Sequence, residues 1–103
     1  MLTEQQVGEQ VREAFDGICT KHRIAARVAG KSSVRAVFTL AELHTSTSER
    51  FASIHENQSA PTIAELREVW VPTILTDCDD AVLLNGVIEV SVAVPTARKA
   101  HTR

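Results

Sequence analysis

A chain of 103 residues has the size of one domain and is long enough to bury a core without disulfide or metal staples. Its 44% hydrophobic and 23% charged residues fit a water-soluble globular fold, and a net charge of −2 makes it neither a polybasic nor a polyacidic chain. No run nears the roughly 20 apolar residues of a membrane span, and the opening MLTEQQVGEQ lacks the basic and apolar regions of a secretory signal.

The only aromatics are Phe15, Phe38, Phe51 and Trp70, so the core has to be aliphatic and a base-stacking platform for nucleic acid is disfavoured. Two cysteines, Cys19 and Cys78, do not make a disulfide framework, and a reducing interior is the default expectation.

Taken in order, the chain opens with Thr3 and Gln6 as a capping box and Leu2 with Val7 as a hydrophobic staple. Val7, Val11, Phe15, Ile18 and His22 recur at helical spacing, which predicts a helix over 4–21. The single apolar stripe requires a packing partner, most simply a sheet.

Ile24, Ala26 and Val28 then alternate with Ala25, Arg27 and Ala29. Val34, Ala36, Phe38 and Leu40 alternate in the same way, and Gly30-Lys31-Ser32-Ser33 lies between the two runs. Period-2 alternation flanking a glycine turn predicts a hairpin with Arg27 and Arg35 on its outward face.

Residues 41–61 are polar and rich in Ser and Thr. Ser46 with Glu49 could open a short helix ending near His55, and a long functional loop is an equal alternative. Thr62 and Glu65 form another capping box, followed by Ile63, Leu66, Val69 and Trp70 at helical spacing. A short helix over 63–70 is expected, its rival being an edge strand through Val69 and Val71.

The strongest local signal is 81–94, AVLLNGVIEVSVAV. Asn-Gly between apolar runs calls for a two-residue type I′ turn. It sets Leu84 opposite Val87, Leu83 opposite Ile88 and Val82 opposite Glu89. It also puts Ala81, Leu83, Ile88, Val90, Val92 and Val94 on one buried face. Pro95 ends the strand, leaving 1–95 as a single domain and 96–103 as a basic tail. The fold expected is α+β: an N-terminal helix on a mostly antiparallel sheet of four to five strands that can curl toward a barrel.

No chemical constellation stands out. Cys19, His22 and Cys78 supply one close pair where a zinc site needs two. Asp77, Asp79 and Asp80 lack the glycine and late glutamate of a calcium loop and read as a solvated turn. The acidic neighbours of Cys78 disfavour its thiolate. No nucleophile elbow surrounds Ser46, Ser48 or Ser53 near His44 and His55, and Glu65 with Glu68 reads as a solvated helix face. These readings point away from an enzyme and from any cofactor.

Charge is instead segregated. Lys21, Arg23, Arg27, Lys31 and Arg35 lie between Asp16 and Glu42 with no acid among them, and Arg98, Lys99 and Arg103 follow Glu89. Such asymmetry marks an interaction surface, for which Arg27, Lys31, Arg35, Arg98, Lys99 and Arg103 are the candidate residues. An acidic protein partner fits it. A nucleic-acid-binding module built on Arg27, Lys31 and Arg35 is the alternative, set against a sequence pI near 6.0.

Two blocks, Ser33-Val34-Arg35-Ala36-Val37-Phe38 and Asp80 through Pro95, carry an acidic residue, a strand, a turn glycine and a strand ending in valines. In this order the chain resembles the small head–tail joining proteins of tailed phages, over roughly 34–95, although the aromatic common in that last strand is missing. The resemblance implies a ring-forming, homo-oligomeric structural protein of the virion neck, assembled in the host cytoplasm with other structural proteins. It implies no catalytic residue and no membrane.

Overall fold

The computed structural model describes residues 2–54 and 57–95. The order is α1 (Glu4–Val28), β1 (Ser33–Thr39), α2 (Leu40–Ile54), α3 (Ile63–Glu65), a π-helical turn (Leu66–Trp70), α4 (Val71–Leu75), β2 (Val82–Leu84) and β3 (Val87–Ala93). The strands form one antiparallel sheet in the order β1-β3-β2. The fold is α+β, with α1 and α2 packed together and α1 lying against β1 and β3.

The start of α1 follows the sequence pattern. The Thr3 hydroxyl accepts from the Gln6 amide, and the Gln6 side chain accepts from the Thr3 amide. Its far end overturns the expected first hairpin, because the helix runs through 24–28. The alternating apolar residues there are separated by Ala and Arg, both strong helix formers, and no breaker intervenes before Gly30.

Gly30 takes φ +80° and closes the helix in a Schellman motif: its amide donates to the Arg27 carbonyl and the Lys31 amide to the Ala26 carbonyl. A tight hairpin would need two central residues at positive φ, and GKSS provides one. Arg27 therefore sits on a helix and Arg35 on β1, and they share no strand-paired face.

The polar stretch after β1 is helical from Leu40 onward. Its cap is a Thr39–Glu42 box, placed where period-2 alternation predicts the end of a strand. The Glu42 amide donates to the Thr39 hydroxyl, and the Thr39 amide donates to the Glu42 carboxylate. Leu40, Leu43, Thr47 and Phe51 face inward at helical spacing, so neither the open loop nor a start at Ser46 is observed. The expected end at His55 lies outside the described residues.

The predicted helix over 63–70 is present, opened by the Thr62–Glu65 capping box, and continues to Leu75, so the rival edge strand is not found. Pro72 has no amide to offer the Glu68 carbonyl, and the preceding turn widens: the Val71 amide reaches back to the Leu66 carbonyl. The Thr73 hydroxyl donates to the Val69 carbonyl, satisfying that group.

The closing hairpin forms in the expected register. Leu84 pairs with Val87, Leu83 with Ile88 and Val82 with Glu89, with Asn85 at φ +54° and Gly86 at φ +77°. Ile88, Val90, Val92 and Val94 are buried. Four or five strands and a barrel are not observed. With 24–28 and 69–71 helical, only β1 is left to pair with the hairpin, and the sheet stays open at both edges.

The core lies between α1 and the inner sheet face. Val11, Phe15 and Cys19 meet Ala36, Phe38, Ile88 and Val90, and Phe15 stands edge-on to Phe38 with centroids 5.3 Å apart. The outer face carries Val37, Val82 and Leu84 in contact with solvent.

Candidate interaction surface

The eight cations among the described residues divide by position. Arg12 meets Asp77 at 2.9 Å, Arg35 meets Glu89 at 3.0 Å and Asp80 at 3.1 Å, Arg50 meets Glu13, and Arg67 meets Glu68 at 3.5 Å. Lys21, Arg23, Arg27 and Lys31 make no ion pair among the described residues, and Arg23 bonds only to the Thr20 hydroxyl.

All four unpaired cations belong to the last turns of α1 and the turn after it. A helix dipole favours cations only within its final turn. It therefore accounts for Arg27 but not for Lys21 or Arg23.

The same end carries misplaced apolar surface. Ile24 is 57% exposed and Val28 84%. Thr20, Arg23, Ile24 and Arg27 line one wall of a shallow groove of about 180 Å³, and Val94 and Pro95 line the other. Pro95 is the last described residue. Arg98, Lys99 and Arg103 lie outside the described residues.

Of the candidate residues, Arg27 and Lys31 thus share one surface. Arg35 is withdrawn from it. Its guanidinium reaches over the outer sheet face to Glu89, the Asp80 carboxylate and carbonyl, and the Ser91 hydroxyl. The expectation of an Arg27/Arg35 face is corrected accordingly: Arg23 and Ile24 join Arg27 at the groove, Val28 and Lys31 follow at the same end of α1, and Lys21 lines a separate hollow toward α2 with Glu42 and Glu49. Continuity of helix propensity past Lys21 was the signal that would have placed them together.

The other constellations stay apart or find structural work. Among the described residues no three His, Cys, Asp or Glu side chains come close enough to hold a metal. His22 lies beside Phe38, with ring centroids 6.5 Å apart. Asp77 and Asp80 hold Arg12 and Arg35, and Glu65 caps its helix.

Burial pushes the Cys19 thiol up to about 11, with Arg23 acting in the opposite direction. The Cys78 thiol is also raised, chiefly by burial and only secondarily by Asp77, while Arg12 opposes. The acidic neighbours are thus the lesser cause at Cys78, but the direction still disfavours a nucleophile. No helix among the described residues is long and apolar enough to cross a membrane. No family model, curated protein or solved structure matches the chain.

Proposed function

We propose that this chain is a non-enzymatic assembly protein that docks an acidic protein surface through the distal end of α1. In its specific form it is a ring-forming head–tail connector component of a virion. The observation that carries the docking reading is the partition of cations among the described residues: every one outside that end is matched to an acid, and none at that end is. The connector form rests on the resemblance. Its two blocks fall on β1 and on the β2–β3 hairpin, which lie side by side in one sheet.

A ring needs two different, complementary patches on each subunit. Glu4, Glu9 and Asp16 on the first half of α1 are exposed and make no ion pair among the described residues, so a neighbour's basic end has a matching surface.

Mass tests the reading: light scattering of the purified protein, and native mass spectrometry of assemblies formed on co-expression with phage capsid and tail proteins. A ring gives a multiple of 11.3 kDa that falls when Lys21 and Arg27 are both changed to Glu. A monomer in both settings sinks it. Retention on DNA or RNA at low salt, weakening steeply as salt rises, would transfer the same surface to the nucleic-acid reading.

A further inference from the structure

The two open edges of the sheet are unlike. β2 spans only Val82–Leu84, a short edge of the kind that resists pairing. β1 spans seven residues, Ser33–Thr39, with no proline or lysine. Its ladder fixes which backbone groups face outward. The Val94 amide donates to the Ser32 carbonyl and the Leu40 amide to the Gly86 carbonyl. Hydrogen-bonded pairs alternate along an antiparallel ladder, so Val34, Ala36 and Phe38 turn their backbone groups to β3. Arg35 and Val37 turn theirs to the open edge. The Thr39 amide, which also points outward, is already taken by Glu42.

The one charge on β1 does not guard the edge. Arg35 is drawn inward across the sheet by Glu89, Asp80 and Ser91 and is neutralised there. We propose that β1 pairs antiparallel with β1 of a second copy of this chain, about a two-fold axis at Ala36, to make one continuous six-stranded sheet.

Self-pairing selects that register. Its central pairs use uncommitted backbone groups: Arg35 of each copy exchanges hydrogen bonds with Val37 of the other, and only the terminal Ser33–Thr39 pairs meet the occupied Thr39 amide. Val34 then meets Phe38 on the inner face, and Val37, 48% exposed in the single chain, covers the Arg35 stem on the outer face. A register centred on Arg35 sets two guanidiniums opposite each other. One centred on Val37 sets Arg35 against Thr39, whose amide is occupied. The pairing is self-complementary and stands independently of the connector reading, which uses the end of α1.

The test is amide exchange by NMR, with sedimentation, from about 10 μM to about 1 mM, a span that populates even a weak pair. With rising concentration the mass doubles, and the Arg35 and Val37 amides become protected, while Val34, Ala36 and Phe38 are protected throughout. Val37→Pro removes one outward donor at an edge position where proline is tolerated, and should weaken pairing at least tenfold. Val37→Lys keeps the amide, gains Glu89 as a cross-strand neighbour and sets a cation opposite Arg35 of the second copy. It should also favour the monomer, and it decides the matter if the proline variant does not fold. A monomer at about 1 mM, or a doubled mass with the Arg35 and Val37 amides still exchanging freely, overturns the proposal. The first of those outcomes would leave the edge for an extended segment of another protein.

Discussion

The two parts of α1 are continuous in backbone and opposite in use. From Val7 to Cys19 its apolar stripe enters the core, and Val11, Ala14, Phe15 and Cys19 are buried. Its cation there, Arg12, is tied to Asp77. Beyond Cys19 only Ala26 is buried in α1, Ile24 and Val28 face water, and the cations make no ion pair among the described residues. The helix outruns the layer it packs against. The first part holds the fold together, whereas the second can change partners at little cost to stability. That division can be broken or sharpened by substitution.

The largest effect is expected at Phe15. Phe15→Ala removes a ring that is 2% exposed and stacked edge-on to Phe38, and should cost about 3–5 kcal/mol in denaturant unfolding. Val28→Ala, on the same helix and 84% exposed, should stay within about 0.5 kcal/mol. Equal losses at the two sites would erase the distinction.

This contrast was half legible in the sequence. The stripe from Val7 to Phe15, the capping boxes at Thr3 and Thr62 and the Asn85-Gly86 turn each needed only local rules, and each forms, whereas the Ser46–Glu49 start does not. Ile24 to Val28 misled because alternation with Ala fits either period. What decided it was the absence of a breaker before Gly30 together with a single positive φ there. The Thr39–Glu42 box was readable but masked by the strand pattern running into it. Pairing of cations with distant acids, Arg12 with Asp77 or Arg35 with Glu89, depends on tertiary placement and has no local signal. The basic end could therefore be outlined only as a charge run, with Arg35 wrongly included.

Smaller effects mark the inner part of the helix. The buried Cys19 thiol is raised to about 11 in the fold against 9.0 for a free thiol, so the folded state holds its proton where the unfolded chain loses it. Its contribution is fully present below pH 9.0 and should decline as pH rises through about 11. Cys19→Ala should remove that alkaline decline in urea midpoints measured across the range.

The two glycines of α1 separate packing from propensity. A Cβ at Gly17 meets nothing within 4 Å, so Gly17→Ala should gain roughly 1 kcal/mol. At Gly8 the added carbon comes to 3.0 Å from the Trp70 ring, which lies against that turn. Gly8→Ala should forfeit most of the gain and shift the fluorescence of Trp70, the only tryptophan.

The smallest expected difference bears most directly on the distal end. Arg12→Ala breaks a pair with Asp77 whose side chains are 42% and 65% exposed. A pair so open to water contributes at most about 1 kcal/mol. Arg27→Ala breaks no ion pair among the described residues and gives up only its place at the end of the helix dipole, about 0.3 kcal/mol at low salt and nothing measurable at high salt. If Arg27 and Lys21 serve an external partner, removing them must weaken association with little change in stability, whereas Arg12→Ala moves stability alone. A drop in stability at Arg27→Ala as large as that at Arg12→Ala would show that the distal cations already support the single chain, and the division along α1 would fail where the docking proposal depends on it.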